Sequence, residues 1–123
     1  MNRRKSDTWI DLKTGLQWQL DSPGRMNWHE GKAYARSLRL GNKADWRIPA
    51  LRELESLLDR TRYRPVMRPE IPFRDTGSYW SSTTFGPKRK SAWMVMFDGA
   101  YVLSYQKTNK YYVRCVRGKA DIF

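Results

Sequence analysis

The 123-residue sequence holds a single cysteine, Cys115, and a single histidine, His29. A lone cysteine excludes an intrachain disulfide, and no Cys/His cluster is left to build a zinc site. Calcium would need several convergent oxygens. Asp45, Asp75 and Asp98 are instead scattered along the chain, and no EF-hand pattern is present. Phe85-Gly86-Pro87-Lys88 lacks the spacing of a phosphate-binding loop. No serine sits in a nucleophile elbow. His29 falls in the first turn of an expected helix, where a solvent-facing or capping role outweighs that of a general base. Cys115 falls inside an expected strand, where an inert buried thiol is the default. The sequence therefore gives no support for catalysis and implies no metal or cofactor.

Long apolar runs are missing as well. No stretch approaches the roughly 20 apolar residues of a membrane span. Residues 1–7 are basic but lead into no apolar segment, so no secretory signal is visible. As written the chain reads as cytoplasmic, whereas a chain trimmed from a longer protein would suit an extracellular or virion setting. Acidic residues are also scarce: 12 Asp and Glu face 24 Lys and Arg, a net charge of +12. Small soluble domains usually carry a net charge of about 2–8 in magnitude. The surplus creates a field that draws polyanions, whether sulfated glycan, nucleic acid or acidic protein.

What is abundant is aromatic. Six tryptophans and seven tyrosines argue against disorder, because disordered chains lack the large side chains that offset ordering entropy. The length suits one domain, taken as residues 8–118 between a basic tail (1–7) and a C-terminal tail (119–123). Alternation about Lys13-Thr14-Gly15 predicts a hairpin from Trp9 to Leu20. Asn27, with Glu30 three residues on, predicts a capped helix running to about Leu38. The period of Leu51, Leu54, Leu57 and Leu58 predicts a second helix ending near Asp59, with Ala50 where a Ser or Thr cap would serve better. Residues 60–75 read as a long loop with three prolines and five arginines. The remainder reads as strands: 79–83, 92–97, 100–105 after the Asp98-Gly99 turn, and 111–116 after a turn at 107–110. Two helices beside an antiparallel meander define an α+β fold.

Three basic clusters are the candidate ligand-binding residues. They are Arg60, Arg62, Arg64 and Arg68 in the long loop, Lys88, Arg89 and Lys90 in the 85–90 loop, and Lys32, Arg36 and Arg39 on the first helix. Arginine can hold sulfate or phosphate through two parallel hydrogen bonds, and lysine adds a mobile point charge. A single patch requires that the long loop and the 85–90 loop converge. Otherwise the clusters are dispersed, with arginines paired to Asp59, Glu70 and Asp75.

Several phrases then align with a known family. Asp11, Thr14-Gly15-Leu16 and Trp18 open the series, followed by Met26-Asn27-Trp28 with Ala33-Tyr34 and Leu38. Asp45-Trp46-Arg47-Ile48-Pro49 precedes Glu53-Leu54 and Leu57-Leu58. Tyr79-Trp80-Ser81-Ser82-Thr83, Ala92-Trp93, Phe97-Asp98-Gly99 and Tyr112-Val113-Arg114-Cys115-Val116-Arg117-Gly118 complete it. Together they resemble the C-terminal domain family of the bacterial collagen-like adhesin Lcl, over about residues 8–118. The resemblance implies a C-type-lectin-like fold, with two helices packed on a small antiparallel sheet and long loops. It also implies a ligand-binding rather than catalytic role, since the adhesin's domain binds sulfated glycosaminoglycans and is trimeric. Trp46, Tyr79, Trp80, Tyr112 and Val113 are expected in the core. Two departures stand out. Ala35 occupies a helical position where the family has a cysteine able to pair with the one at Cys115, and Ala50 replaces a threonine.

The expected function is a non-catalytic domain for a polyanion such as a sulfated glycan. A protein-interaction module of intracellular or phage origin, with an acidic protein as partner, is the alternative. Nonspecific nucleic-acid binding is a further one, since no sequence-reading motif is present. A homo-oligomer, with the trimer as the family precedent, would multiply weak sites into avidity.

Overall fold

A computed structural model of the chain describes residues 7–74 and 76–120. Most of the basic tail, the last three residues and Asp75 thus lie outside the described residues. The predicted first hairpin is present. Strands β1 (Thr8–Ile10) and β2 (Gln17–Gln19) pair antiparallel with Trp9 opposite Trp18. Asp11 organises the turn: its carboxylate accepts from the Lys13 N–H and the Thr14 hydroxyl, each at 3.0 Å. Gly15 closes the turn at φ 82°, a conformation that costs glycine little. Strand β8 (Val116–Arg117) adds to β2 and completes a three-stranded sheet.

A five-stranded sheet forms the middle of the molecule. In spatial order it runs β3 (Arg25–Met26), β7 (Tyr111–Tyr112), β4 (Ser78–Thr84), β5 (Ser91–Met96) and β6 (Tyr101–Gln106). The β5–β6 hairpin turns at Asp98-Gly99 as expected, with Met96 opposite Tyr101. The expected last strand, 111–116, is not continuous. Its first two residues join the large sheet, where Tyr112 pairs parallel with Tyr79, and Val116 and Arg117 belong to the small sheet. The segment between them crosses from one sheet to the other.

Helix α1 (Trp28–Ser37) begins at the predicted capping box. The Asn27 side chain accepts from the Glu30 N–H at 2.8 Å, and Glu30 accepts from the Asn27 N–H at 2.9 Å. Gly31 lets α1 approach its neighbours closely: a Cβ there would stand 2.9 Å from Val113 Cγ2. Helix α2 (Leu51–Glu55) is shorter than expected. The Leu57 and Leu58 amides bond back three residues instead of four, and Leu58 then bridges Met67. The apolar period continues past the helix because the following turn also buries Leu57. The missing cap at Ala50 is replaced from outside, as Thr83 Oγ1 of β4 accepts the Leu51 N–H at 3.1 Å. Glu53 accepts the Ala50 N–H at 2.8 Å and holds Arg47 through two bonds of 2.6 and 2.7 Å.

The α+β expectation of two helices packed on a small sheet is therefore wrong. Among the described residues the chain is mostly β, with eight strands in two sheets and only ten and five residues in the two helices. Burial gives the physical reason. Alternate residues of β4 and β5 enter opposite cores. Tyr79 and Val95 join Leu16, Trp18, Leu54 and Phe97, while Trp80 and Met94 join Trp28, Trp46, Val113 and Cys115. At the centre of the large sheet β4 and β5 feed cores on both faces, so they do not read as the alternating pattern of a half-solvated sheet. Ala120, assigned to the tail, packs into the first core.

One buried ion pair ties the long loop to the hairpin. Asp11 is 1% exposed and Arg68 5%. Arg68 Nη2 donates to Asp11 Oδ2, its Nη1 reaches Glu70 at 2.8 Å, and its Nε bonds the Ser56 carbonyl at 2.9 Å. Removing one partner of such a pair leaves an uncompensated buried charge. Arg68→Met is expected to cost about 3–5 kcal/mol in chemical denaturation, while Arg60→Met on the exposed loop should stay within about 0.5 kcal/mol.

Candidate functional site

Lys107 sits where three chain segments meet. It follows β6, its amide donates to the Lys90 carbonyl at 2.8 Å, and its carbonyl accepts the Trp28 amide at 3.0 Å. Backbone pairing thus ties the 85–90 loop, the 107–110 turn and the start of α1 together. The Lys107 Nζ donates to Thr84 Oγ1 at 3.0 Å and lies 3.9 Å from the Trp28 ring centroid. Lys32 Nζ, one turn into α1, lies 4.7 Å from the same ring. The indole itself is fixed, 7% exposed and donating from Nε1 to the Ser81 carbonyl at 2.9 Å. Two ammonium groups therefore share one immobilised aromatic platform.

The electrostatics of this face are one-sided. Burial pushes the Lys107 ammonium below its ordinary pKa, and the charges of Lys32 and Arg89 push it further down. No described residue forms an ion pair with Lys32, Arg36, Lys88, Arg89, Lys90 or Lys107. Lys32 and Arg36 also border a hollow of about 290 Å³, floored by Ala35, Trp46, Ile48 and Ser82. The arrangement is a row of cations on a folded support, and it can hold anionic groups spaced along a chain.

The structure joins two of the three sequence clusters and separates the third. Lys107 lies beside Lys32 and Arg89, a residue from each of two clusters, and its amide bonds the Lys90 carbonyl. Arg39 turns away to cap α1, donating to the Arg36 and Leu38 carbonyls at 3.2 and 3.0 Å. The long loop is pinned elsewhere. Arg64 pairs with Asp98 at 2.9 Å, and the Val66 N–H bonds the Phe97 carbonyl at 2.9 Å. Both anchors lie at the far end of β5 from Lys90, and six strand residues span roughly 20 Å. Arg68 is consumed by Asp11 and Glu70, while Arg60 and Arg62 remain exposed on the loop. Asp59 does not hold an arginine. It binds Thr61, whose hydrogen bonds hold the Asp59 carboxyl below its usual range.

Lys107 and Thr84 were not among the sequence candidates. Lys107 lies in a turn, and nothing local marks it. Only the pairing of β5 with β6, which brings 91 beside 106, carries it to the 85–90 loop. Tyr112, expected in the core, is 37% exposed, whereas Trp46, Tyr79, Trp80 and Val113 are buried as expected. His29 is exposed, with its ring edge-on to Trp28 at 5.1 Å. Among the described residues, no group of three His, Cys, Asp or Glu could hold a metal ion, and no helix is long and apolar enough to cross a membrane.

The order of these elements, from the Asp11 turn to the Val116–Arg117 strand, matches one family model, that of the Lcl C-terminal domain, over residues 7–117. The chain belongs to the Lcl C-terminal domain family. No curated protein matches it. Ala35 and Cys115 share the second core. Cys115 is fully buried, and burial pushes its thiol up to about 12 against a smaller opposing effect of Arg114. A thiolate is the reactive form. Cys115 is therefore expected to resist a thiol-labelling reagent at pH 8 in the native protein and to react fully in denaturant.

Proposed function

We propose that this Lcl C-terminal domain is a non-catalytic binding module for a polyanion such as a sulfated glycan. Its contact face is the row Arg36, Lys32, Lys107 and Arg89, extended by Lys88 and Lys90. The observation that carries the reading is the placement of Lys107. It is partly buried beside two like charges, without a carboxylate among the described residues to balance it. A fold gains nothing from holding cations together, and local conflicts of this kind tend to sit at functional sites. An incoming sulfate or phosphate relieves that repulsion. Arg89 supplies a forked donor for one anionic group, and the lysines supply point charges for its neighbours along the chain.

This reading replaces the long loop as the main contact. Reversing charge at Arg60, Arg62 and Arg64 removes cations that lie at the other end of β5, one of them already paired with Asp98. The test compares two triple variants by titration with heparin across a salt series. Lys32→Gln, Arg89→Gln and Lys107→Gln together are expected to weaken binding by at least about tenfold and to flatten its salt dependence. The same substitution at Arg60, Arg62 and Arg64 is expected to weaken it by less than about threefold. The opposite ranking would contradict the assignment. A DNA duplex in place of heparin identifies the polymer class, because contact through phosphates alone would bind both polymers alike. Stability of the Lys107→Gln protein is expected within about 1 kcal/mol of the parent, since the substitution also removes like-charge repulsion.

A further inference from the structure

The large sheet ends on one side in a long open edge. β6 is its outermost strand and has six residues, whereas the other edge strands, β3, β1 and β8, have two, three and two. All six β6 residues pair with β5 in one unbroken register. The Lys107 amide bonds the Lys90 carbonyl, which fixes the phase of that ladder. Antiparallel ladders alternate, so Tyr101, Leu103 and Tyr105 turn their backbone groups to β5, and Val102, Ser104 and Gln106 turn theirs to the open side. The Gln106 carbonyl accepts the Asn109 N–H at 3.0 Å. The N–H and C=O of Val102 and Ser104, and the Gln106 N–H, meet no partner among the described residues.

Edges of this length are ordinarily blunted by charge, proline, a bulge or a covering element. The run Tyr101-Val102-Leu103-Ser104-Tyr105-Gln106 has no charge, no proline and no bulge. Val102 packs toward the first core. Tyr101, Leu103 and Tyr105 share the opposite face. Tyr101 is 60% exposed and Tyr105 41%, with Leu103 half-buried between them. The order of that face, Tyr–Leu–Tyr, reads the same in both directions.

We infer that β6 pairs antiparallel with β6 of a second copy of this chain, about a two-fold axis through Leu103, and joins two five-stranded sheets into one. Only registers that set outward-turned residues against one another make ladder bonds. The register centred on Leu103 does so, with Val102 opposite Ser104 of the second copy, and it forms roughly four backbone bonds. It also sets Tyr101 opposite Tyr105 of the second copy and Leu103 opposite Leu103, in the closer type of pair where side chains meet. Shifting the centre by one residue in either direction leaves a tyrosine without an apolar partner. The basic face is not forced against itself. Lys107 of one copy stands roughly 27 Å from Lys107 of the other, well beyond the Debye length of about 8 Å at physiological salt. A foreign extended strand would also satisfy the backbone groups, yet only a second copy answers the Tyr–Leu–Tyr row with the same row. An interface of this kind is isologous and closes as a dimer.

Light scattering of the intact protein over a concentration series is expected to show a mass rising to twice that of one chain. Ser104→Pro removes an outward N–H without breaking a bond to β5, and it should weaken the dimer by at least about tenfold with circular dichroism unchanged. Arg60→Met should leave the dimer as it is. Cross-linking supplies a second readout. Facing residues at the axis stand about 4.5 Å apart at Cα, within reach of a disulfide. Mild oxidation should therefore couple two copies of the Leu103→Cys protein. It should not couple the Tyr101→Cys protein, whose two sulfurs are roughly 14 Å apart along the strands. Cys115 is buried and does not compete. A protein that stays monomeric to its solubility limit would overturn the inference. So would a trimer, which cannot lay a strand antiparallel on itself, and so would a dimer that survives Ser104→Pro and fails to couple through position 103.

Discussion

Burial of the central strands β4 and β5 on both faces is the constraint on which the rest of this domain depends. Tyr79 and Trp80 are neighbours in the sequence, yet they serve different cores, as do Met94 and Val95 on the paired strand. Full burial of large side chains such as Trp18 and Trp80 contributes roughly 1.5–3 kcal/mol each or more before ordering costs. Two cores need two covers. The small sheet and α2 cover one face, and α1 covers the other. The chain crosses between the sheets through Val113, Arg114 and Cys115, each of them buried. The basic loops hang from the ends of the large sheet, and their positions follow from its register.

That register decides which cations meet. The pairing of Ser91 with Gln106 brings the 85–90 loop to the 107–110 turn, and the Lys107 carbonyl then receives the first amide of α1. At the other end of β5 the turn at Asp98 receives Arg64. One strand thus separates the basic residues into a clustered group and a dispersed one. Net charge alone cannot make that distinction, because it counts Arg68, a buried partner of Asp11, equally with Arg89, an exposed one.

The local features of the fold were legible in the sequence. The Asp11 turn, the Asn27–Glu30 capping box and the Asp98-Gly99 hairpin each rest on a short-range signal, and each is present. The family phrases were legible too, and they cover residues 7–117. The layer arrangement was not. A strand buried on both faces lacks alternation, and the leucine period after Ala50 continues through a turn that merely resembles more helix. The division of 111–116 between two sheets leaves no local trace. Among the candidate site residues, Lys32 and Arg89 came together about Lys107. Arg68 proved to be part of the interior because its partner Asp11 lies 57 positions away. Lys107 was missed for the same reason: what makes it a candidate is its neighbours in space.

The central claim is that anions are received over Trp28 between Lys32, Lys107 and Arg89. Its most direct test is a heparin tetrasaccharide titrated into uniformly ¹⁵N-labelled protein while backbone amides and tryptophan indoles are followed by NMR. The account expects the largest shifts in residues 28–36, 84–90 and 107–110, with the Trp28 indole N–H among them. Shifts concentrated in residues 60–64, or spread evenly over the surface, would contradict it.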